Sequence, residues 1–216
     1  MDSVARVQED KDPIIFTPED QGDVLLPHDD PLVISAVIAK HPIERILVDS
    51  GSSVNLLYWN CFEKMHIAHD RLKTVTSPLY SFTGEAVPVV GSVQLPITLG
   101  DYPQVVTRQV NFMVVRTCSP AYNVILGRSL INAMRTVISP GYLLMKFPTP
   151  QGVGQVRGNQ KQARVCYVSS TKNVRGKGKV MTEETLMISE QKLEANKPQL
   201  VESLETIPLS PDDDNR

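Results

Sequence analysis

Short apolar runs rich in Val and Ile, interrupted every few residues by Pro or Gly, fill the first two thirds of the chain. β-Branched residues suit a pleated, half-buried surface, and most of these runs are too short for a helix. The pattern predicts strands at 14–17, 32–39, 43–48, 54–57, 87–99, 105–115, 124–126 and 142–147. Pro31, His41-Pro42, Gly100-Asp101 and Pro140-Gly141 supply turn chemistry at the ends of several of them. Two short helices fit between, at 58–65 and 129–134, and neither is long enough to define the fold. A mainly β architecture follows, with no internal repeat and no second copy of the segment around Asp49.

From about Gly158 the pattern breaks, as Gln, Lys, Arg, Ser and Glu replace the apolar runs. The expected organisation is a tail at 1–12, a folded domain at 13–157, and a polar linker at 158–216 that is partly helical and largely disordered. Within the linker, 160–170 is expected to dock as a helix through Ala163, Val165, Cys166 and Val168, and 183–195 to form a solvated one.

Composition narrows the class. At 216 residues the chain can bury one substantial core. Lys and Arg number 22 against 24 Asp and Glu, so no net positive field draws the chain to nucleic acid or to anionic lipid. Three cysteines far apart, Cys61, Cys118 and Cys166, form neither a disulfide framework nor a zinc ribbon. The N-terminus lacks a basic patch followed by an apolar run, and no apolar stretch approaches the roughly 20 residues needed to span a bilayer. An intracellular, cytoplasmic setting without membrane contact is expected.

The chemistry concentrates in Ile46-Leu47-Val48-Asp49-Ser50-Gly51-Ser52-Ser53, where an apolar strand delivers a carboxylate to a turn of small residues. Buried neighbours hold Asp49 rigidly and lower the local dielectric. Gly51 permits a tight turn and close approach of another backbone. The Ser50 hydroxyl can reach across to a partner turn, and Ser52 can hold the Asp49 carboxylate in plane. Further on, Tyr122-Asn123-Val124-Ile125-Leu126-Gly127-Arg128 is a buried apolar run closed by glycine.

Together these segments resemble the retropepsin family of aspartic proteases, and more closely the protease segment of gypsy-type long-terminal-repeat retrotransposon polyproteins from plants. The second likeness is carried by 27–35 and 45–53, and the resemblance spans roughly 14–170. Ser50 stands where many retroviral enzymes carry Thr, with the hydroxyl kept, and Arg128 after Gly127 is a difference that leaves the likeness intact. The resemblance implies a retropepsin-like closed β-barrel with short helices over 13–157, one half of a pepsin-like bilobal site. It implies Asp49, Ser50 and Gly51 as catalytic residues, supported by Ser52 and by Ile125, Leu126 and Gly127 passing behind the turn. It also implies a flap, placed at 79–87, with Phe82, Thr83, Gly84 and Glu85 meeting substrate; Thr83-Gly84-Glu85 has the chemistry of a mobile hairpin tip.

In this class a water held between two carboxylates attacks the peptide bond, one carboxylate taking its proton while the other donates to the carbonyl oxygen. No other Asp here precedes Ser or Thr and then Gly, so a homodimer is expected to bring the second Asp49. The expected substrate is an extended peptide within a polyprotein, with no cofactor and no metal. The alternative is an inactive or recruited remnant that only binds peptide or dimerises. In the family a reverse transcriptase follows the protease, so a slice of a larger polyprotein is a further expectation. Cys61, His66, His69 and Asp70 have a spacing compatible with zinc, but a helix end running into a polar loop accounts for them more simply. The basic run 175–179 lacks interleaved aromatics to stack on bases and reads as solvated linker. Neither a phosphate-binding glycine loop nor a Gly-x-Ser-x-Gly elbow is present.

Overall fold

The computed structural model describes residues 12–76, 78–80, 84, 86–116 and 121–174. The expected helix at 183–195, the basic run 175–179, Cys118 and the flap residues Phe82, Thr83 and Glu85 lie outside the described residues.

Six strands close into a barrel: β1 (Val33–Ile38), β2 (His41–Val48), β3 (Asn55–Tyr58), β6 (Val89–Leu99), β7 (Val106–Val115) and β8 (Val124–Leu126), in the spatial order β1-β2-β8-β3-β7-β6. β8 runs parallel to β2 and antiparallel to β3, while β3 runs parallel to β7. Alternation of side chains decides which residues fill the barrel. In β6, Val93, Leu95, Ile97 and Leu99 are buried and the residues between them are not. Ile34, Ile46, Leu57, Phe112, Val114, Val124 and Leu126 complete this interior, each wholly buried. Each such side chain stabilises by about 1.5–3 kcal/mol relative to exposure, so the barrel interior dominates the fold.

Two small sheets are not hydrogen-bonded into the barrel: β4 (Leu79–Tyr80) with β5 (Ala86–Val87), and β9 (Val137–Ser139) with β10 (Leu144–Thr149) and β11 (Gly152–Arg157), the second packing Met145 and Phe147 into the barrel's core. The α-helices among the described residues are α1 (Trp59–Lys64), α2 (Arg128–Ala133) and α3 (Gln160–Val174), with short 3-10 turns at Pro18–Gln21 and His69–Arg71. None is long and apolar enough to cross a membrane.

Several local expectations change. The segment 14–17 forms no strand; Lys146 Nζ takes the Ile15 carbonyl at 2.8 Å, and the chain turns into a short 3-10 helix at Pro18–Gln21. The β1–β2 reversal falls on Ala39 and Lys40, both with positive φ (47° and 69°), rather than on His41-Pro42, which open β2. Positive φ at both central residues is what a tight hairpin matching the strand twist requires. β11 was hidden by its glycines. A Cβ on Gly154 would sit 2.7 Å from the Phe147 ring and 2.8 Å from the Gln104 carbonyl oxygen, so close packing demands glycine inside this strand. α3 docks through Ala163 and Cys166 as expected, but Val165 is 63% exposed, because it lies about 100° round the helix from Cys166 and about 200° from Ala163.

The N-terminal segment is strapped to β10 and β11 by polar contacts. Lys146 Nζ pairs with Asp20 at 2.8 Å, and Arg157 Nη1 donates to the carbonyls of Asp20 (2.7 Å) and Gln21 (3.1 Å). The Thr17 N–H also donates to Asp20 Oδ2 at 2.8 Å. Lys146 first, and the Thr17 N–H second, hold the Asp20 carboxyl below its ordinary range. A carboxylate depressed in the folded state stabilises fully above its unfolded value and loses that contribution as pH falls through the folded one. Asp20→Asn is therefore expected to lower the melting temperature at pH 7, with the gap to the parent closing as pH drops below about 4. A gap of equal size at pH 7 and at about pH 2 would contradict this role.

Candidate active site

β2 carries its hydrogen-bond alternation one residue past its end. The Val48 N–H donates to the Leu32 carbonyl at 3.0 Å on one side, and the Asp49 N–H to the Leu126 carbonyl at 2.9 Å on the other. Val48 faces the barrel interior, so Asp49 emerges on the outer face, half-buried, where the chain breaks into a turn. Ser52 N–H closes that turn onto the Asp49 carbonyl at 3.2 Å.

The carboxylate is held at both oxygens. The Gly51 N–H donates to Oδ1 at 2.8 Å, and the Ser52 hydroxyl donates to Oδ2 at 2.6 Å. Each oxygen keeps a further lone pair for water or another acid. Ser50 stands exposed at the tip.

Behind the turn runs the 126–128 segment, and its fit depends on glycine. A Cβ on Gly127 would collide with the Val54 carbonyl oxygen and lie 2.7 Å from that of Ser52. With no side chain at 127, the Arg128 N–H reaches the Ser52 carbonyl at 2.8 Å. The Gly127 N–H donates to Asn55 Oδ1 at 2.9 Å, and Asn55 Nδ2 donates to the Asn111 carbonyl at 3.2 Å, so one buried amide on β3 ties β7 to the segment that follows β8. Arg128 Nη1 adds two charge-assisted bonds, to the carbonyls of Ser50 (3.0 Å) and Gly51 (2.8 Å). Held from behind by their carbonyls, these peptides keep the Gly51 N–H on the Asp49 side of the turn.

Of the predicted site residues, the structure gathers Asp49, Ser50, Gly51, Ser52, Leu126 and Gly127 into one hydrogen-bonded unit. Ile125 sits on β8 with its side chain half-exposed, in register with Leu47 of β2 and Leu56 of β3. Gly84 (φ 83°) lies between β4 and β5, a hairpin stem separate from the barrel, with nothing within 4 Å of where a Cβ would be. Sequence reasoning missed Asn55 and gave Arg128 no role. The available signals were a polar residue in an inward-facing strand position and a cation directly after the glycine.

Other candidate chemistry disperses. Cys61 lies in the core and His69 packs against Trp59 and Phe62. Among the described residues no three His, Cys, Asp or Glu side chains gather as a metal site. Burial pushes the thiols of Cys61 and Cys166 up from their ordinary range, only partly offset by nearby cations, which makes both poor nucleophiles. A cleft of about 320 Å³ between the start of β2 and α1 is lined by residues such as Ile43 and Met65 and does not include Asp49.

No protein-family model matches the chain, and no curated protein does. Among solved structures the chain is similar to the retroviral protease-like domain of Ddi1 from Leishmania major, at 15% identity and a TM-score of 0.45, covering 61% of this chain and 96% of that one. It is similar to a retropepsin-like aspartic protease from Rickettsia conorii at 15% identity and a TM-score of 0.37, covering 57% and 80%. It is also similar to the EIAV protease complexed with the inhibitor HBY-793 at 14% identity and a TM-score of 0.38, covering 54% and 99%.

The Asn55 amide makes a test of this architecture. Asn55→Leu keeps the branched shape but strands the buried Gly127 N–H and removes the donor to the Asn111 carbonyl, and is expected to cost about 2–3 kcal/mol in urea denaturation. A loss under about 0.5 kcal/mol would mean that the bridge does not hold the 126–128 segment in place.

Proposed function

We propose that the chain is an aspartic endopeptidase that works as a homodimer, with water activated between the Asp49 carboxylates of two copies. The observation that carries this reading is the Asp49 carboxylate itself, fixed by the Gly51 N–H and the Ser52 hydroxyl on an outward-facing turn clamped from behind by Leu126, Gly127 and Arg128. Such rigidity suits a group that must meet a reacting atom in one geometry.

A single carboxylate cannot act as base and acid in the same step. Two of them about 3 Å apart share one proton, because both cannot readily ionise at that separation. The ionised member takes a proton from the attacking water, and the protonated member donates to the carbonyl oxygen as the tetrahedral centre forms. The chain has only one Asp-Ser-Gly sequence, and a two-fold axis beside Asp49 supplies the second copy of the turn. In that arrangement each exposed Ser50 hydroxyl reaches the opposing turn and locks the pair in register. The hairpin β4–β5 acts as the flap, with Phe82, Thr83, Gly84 and Glu85 closing over bound peptide. The substrate is an extended apolar stretch of a polyprotein of the retrotransposon type, its main chain pairing with the flap and its alternate side chains entering pockets.

Purified chain incubated with a library of apolar decapeptides across pH 3–7 is expected to cleave with a bell-shaped pH profile, the signature of a shared-proton pair. Asp49→Asn is expected to reduce kcat/KM by about 10³-fold or more while leaving the circular dichroism spectrum unchanged. Undiminished cleavage by folded Asp49→Asn would remove Asp49 from the mechanism.

A further inference from the structure

The outer face of the barrel next to Asp49 is apolar, and register defines it. Leu47 lies two residues before Asp49 on the same face of β2, since Ile46 and Val48 point inward. Directly opposite Leu47 stand Val33 on β1 and Ile125 on β8, and opposite Ile125 stands Leu56 on β3. Paired residues share a face, so Val33, Leu47, Ile125 and Leu56 form one row across four strands beside the carboxylate.

That row is unevenly covered. α3 seats Ala163 and Cys166 on the Val33–Leu47 half, with Tyr122 alongside, and Val33 and Cys166 are almost wholly buried there. Leu47 is only partly covered, and Ile125 and Leu56, which α3 does not reach in that cluster, are likewise half-exposed. The seat is slight: two small side chains bury far less area than any barrel strand. What holds α3 in position is a set of side-chain bonds in its first turns. Gln160 bonds to both main-chain groups of Leu25 (3.0 Å each) and to Asp30 (2.9 Å). Gln162 accepts from the Arg45 N–H (3.2 Å) and donates to Glu44 (3.3 Å). Arg164 Nε meets the Asp30 carboxylate at 3.1 Å.

We propose that α3 is the end wall of the peptide path, and that Cys166 and Ala163 are specificity-determining residues. By occupying the Leu47 half of the row, α3 confines a substrate's apolar side chain to the Ile125–Leu56 half and disfavours bulky residues that need the full width. This rests on the reading of Asp49 as the reacting acid, because the row becomes a substrate floor only through its place beside that group.

The test separates the two. In full-length chain carrying Asp49→Asn, binding of fluorescein-labelled decapeptides is measured by anisotropy, comparing a central Phe with a central Ala. The same measurement is made after Gln160→Ala and Arg164→Ala together remove bonds that hold the helix, and after truncation following Asn159. With Cys61→Ala and Cys118→Ala also present, maleimide labelling of Cys166 in the full-length chains reports how far the helix lifts. Loosening is expected to speed Cys166 labelling and to tighten Phe-peptide binding about tenfold, with the Ala peptide changed by about twofold or less. A double variant with no gain for the Phe peptide overturns the proposal, whether or not labelling accelerates. So does a truncated chain that stays folded without that gain. If the parent with Asp49 intact cleaves nothing while the affinities shift as stated, the wall stands and the protease reading fails.

Discussion

Everything specific about this molecule depends on the contact between two backbone segments distant in sequence, the turn that begins at Asp49 and the stretch 126–128 behind it. Two main-chain hydrogen bonds make it, Asp49 N–H to the Leu126 carbonyl and Arg128 N–H to the Ser52 carbonyl, while Gly127 N–H is held by the Asn55 side chain of β3. The approach is closer than any Cβ allows, which explains glycine at 127 without recourse to turn conformation. Because the turn is gripped along its length, the carboxylate it carries has little freedom, and its two remaining hydrogen bonds set the plane in which it presents itself.

The barrel exists to deliver these segments side by side. β8 is inserted between β2 and β3, parallel to one and antiparallel to the other, so that the strand leading into the turn and the strand leaving it both border the supporting stretch. Interior packing of Ile46, Val48, Val124 and Leu126 fixes the level of the strands, and an outward residue of each, Leu47 and Ile125, is thereby set beside the acid. Peripheral parts rely on different forces. The N-terminal strap and α3 are held mainly by charged and amide side chains reaching main-chain groups and carboxylates over a hundred residues away.

The barrel was largely legible in the sequence, because alternating Val, Ile and Leu between turn residues leaves few other options, and all six barrel strands lie where the alternation puts them. The acid turn was legible for a different reason: Asp, Ser, Gly and Ser at successive positions after an apolar strand form a unit whose bonds are local, as the Gly51 and Ser52 contacts to Asp49 demonstrate. What escaped is what depends on distance. Arg128 acts on carbonyls nearly eighty positions earlier, Asn55 bridges two other strands, and β11 carries glycines whose reason is the Phe147 ring across the sheet. The hairpin at Ala39 and Lys40 escaped because neither residue advertises the positive φ that it adopts.

The central claim is that each chain brings one acid to a site that needs two. Mixing tests it most directly: parent and Asp49→Asn chains are combined at constant total concentration, allowed to exchange partners, and assayed on one peptide. If the site is shared, activity follows the square of the parent fraction, leaving about one quarter at equal parts. A linear decline to about one half would mean that each chain carries a complete site of its own, and would contradict the account.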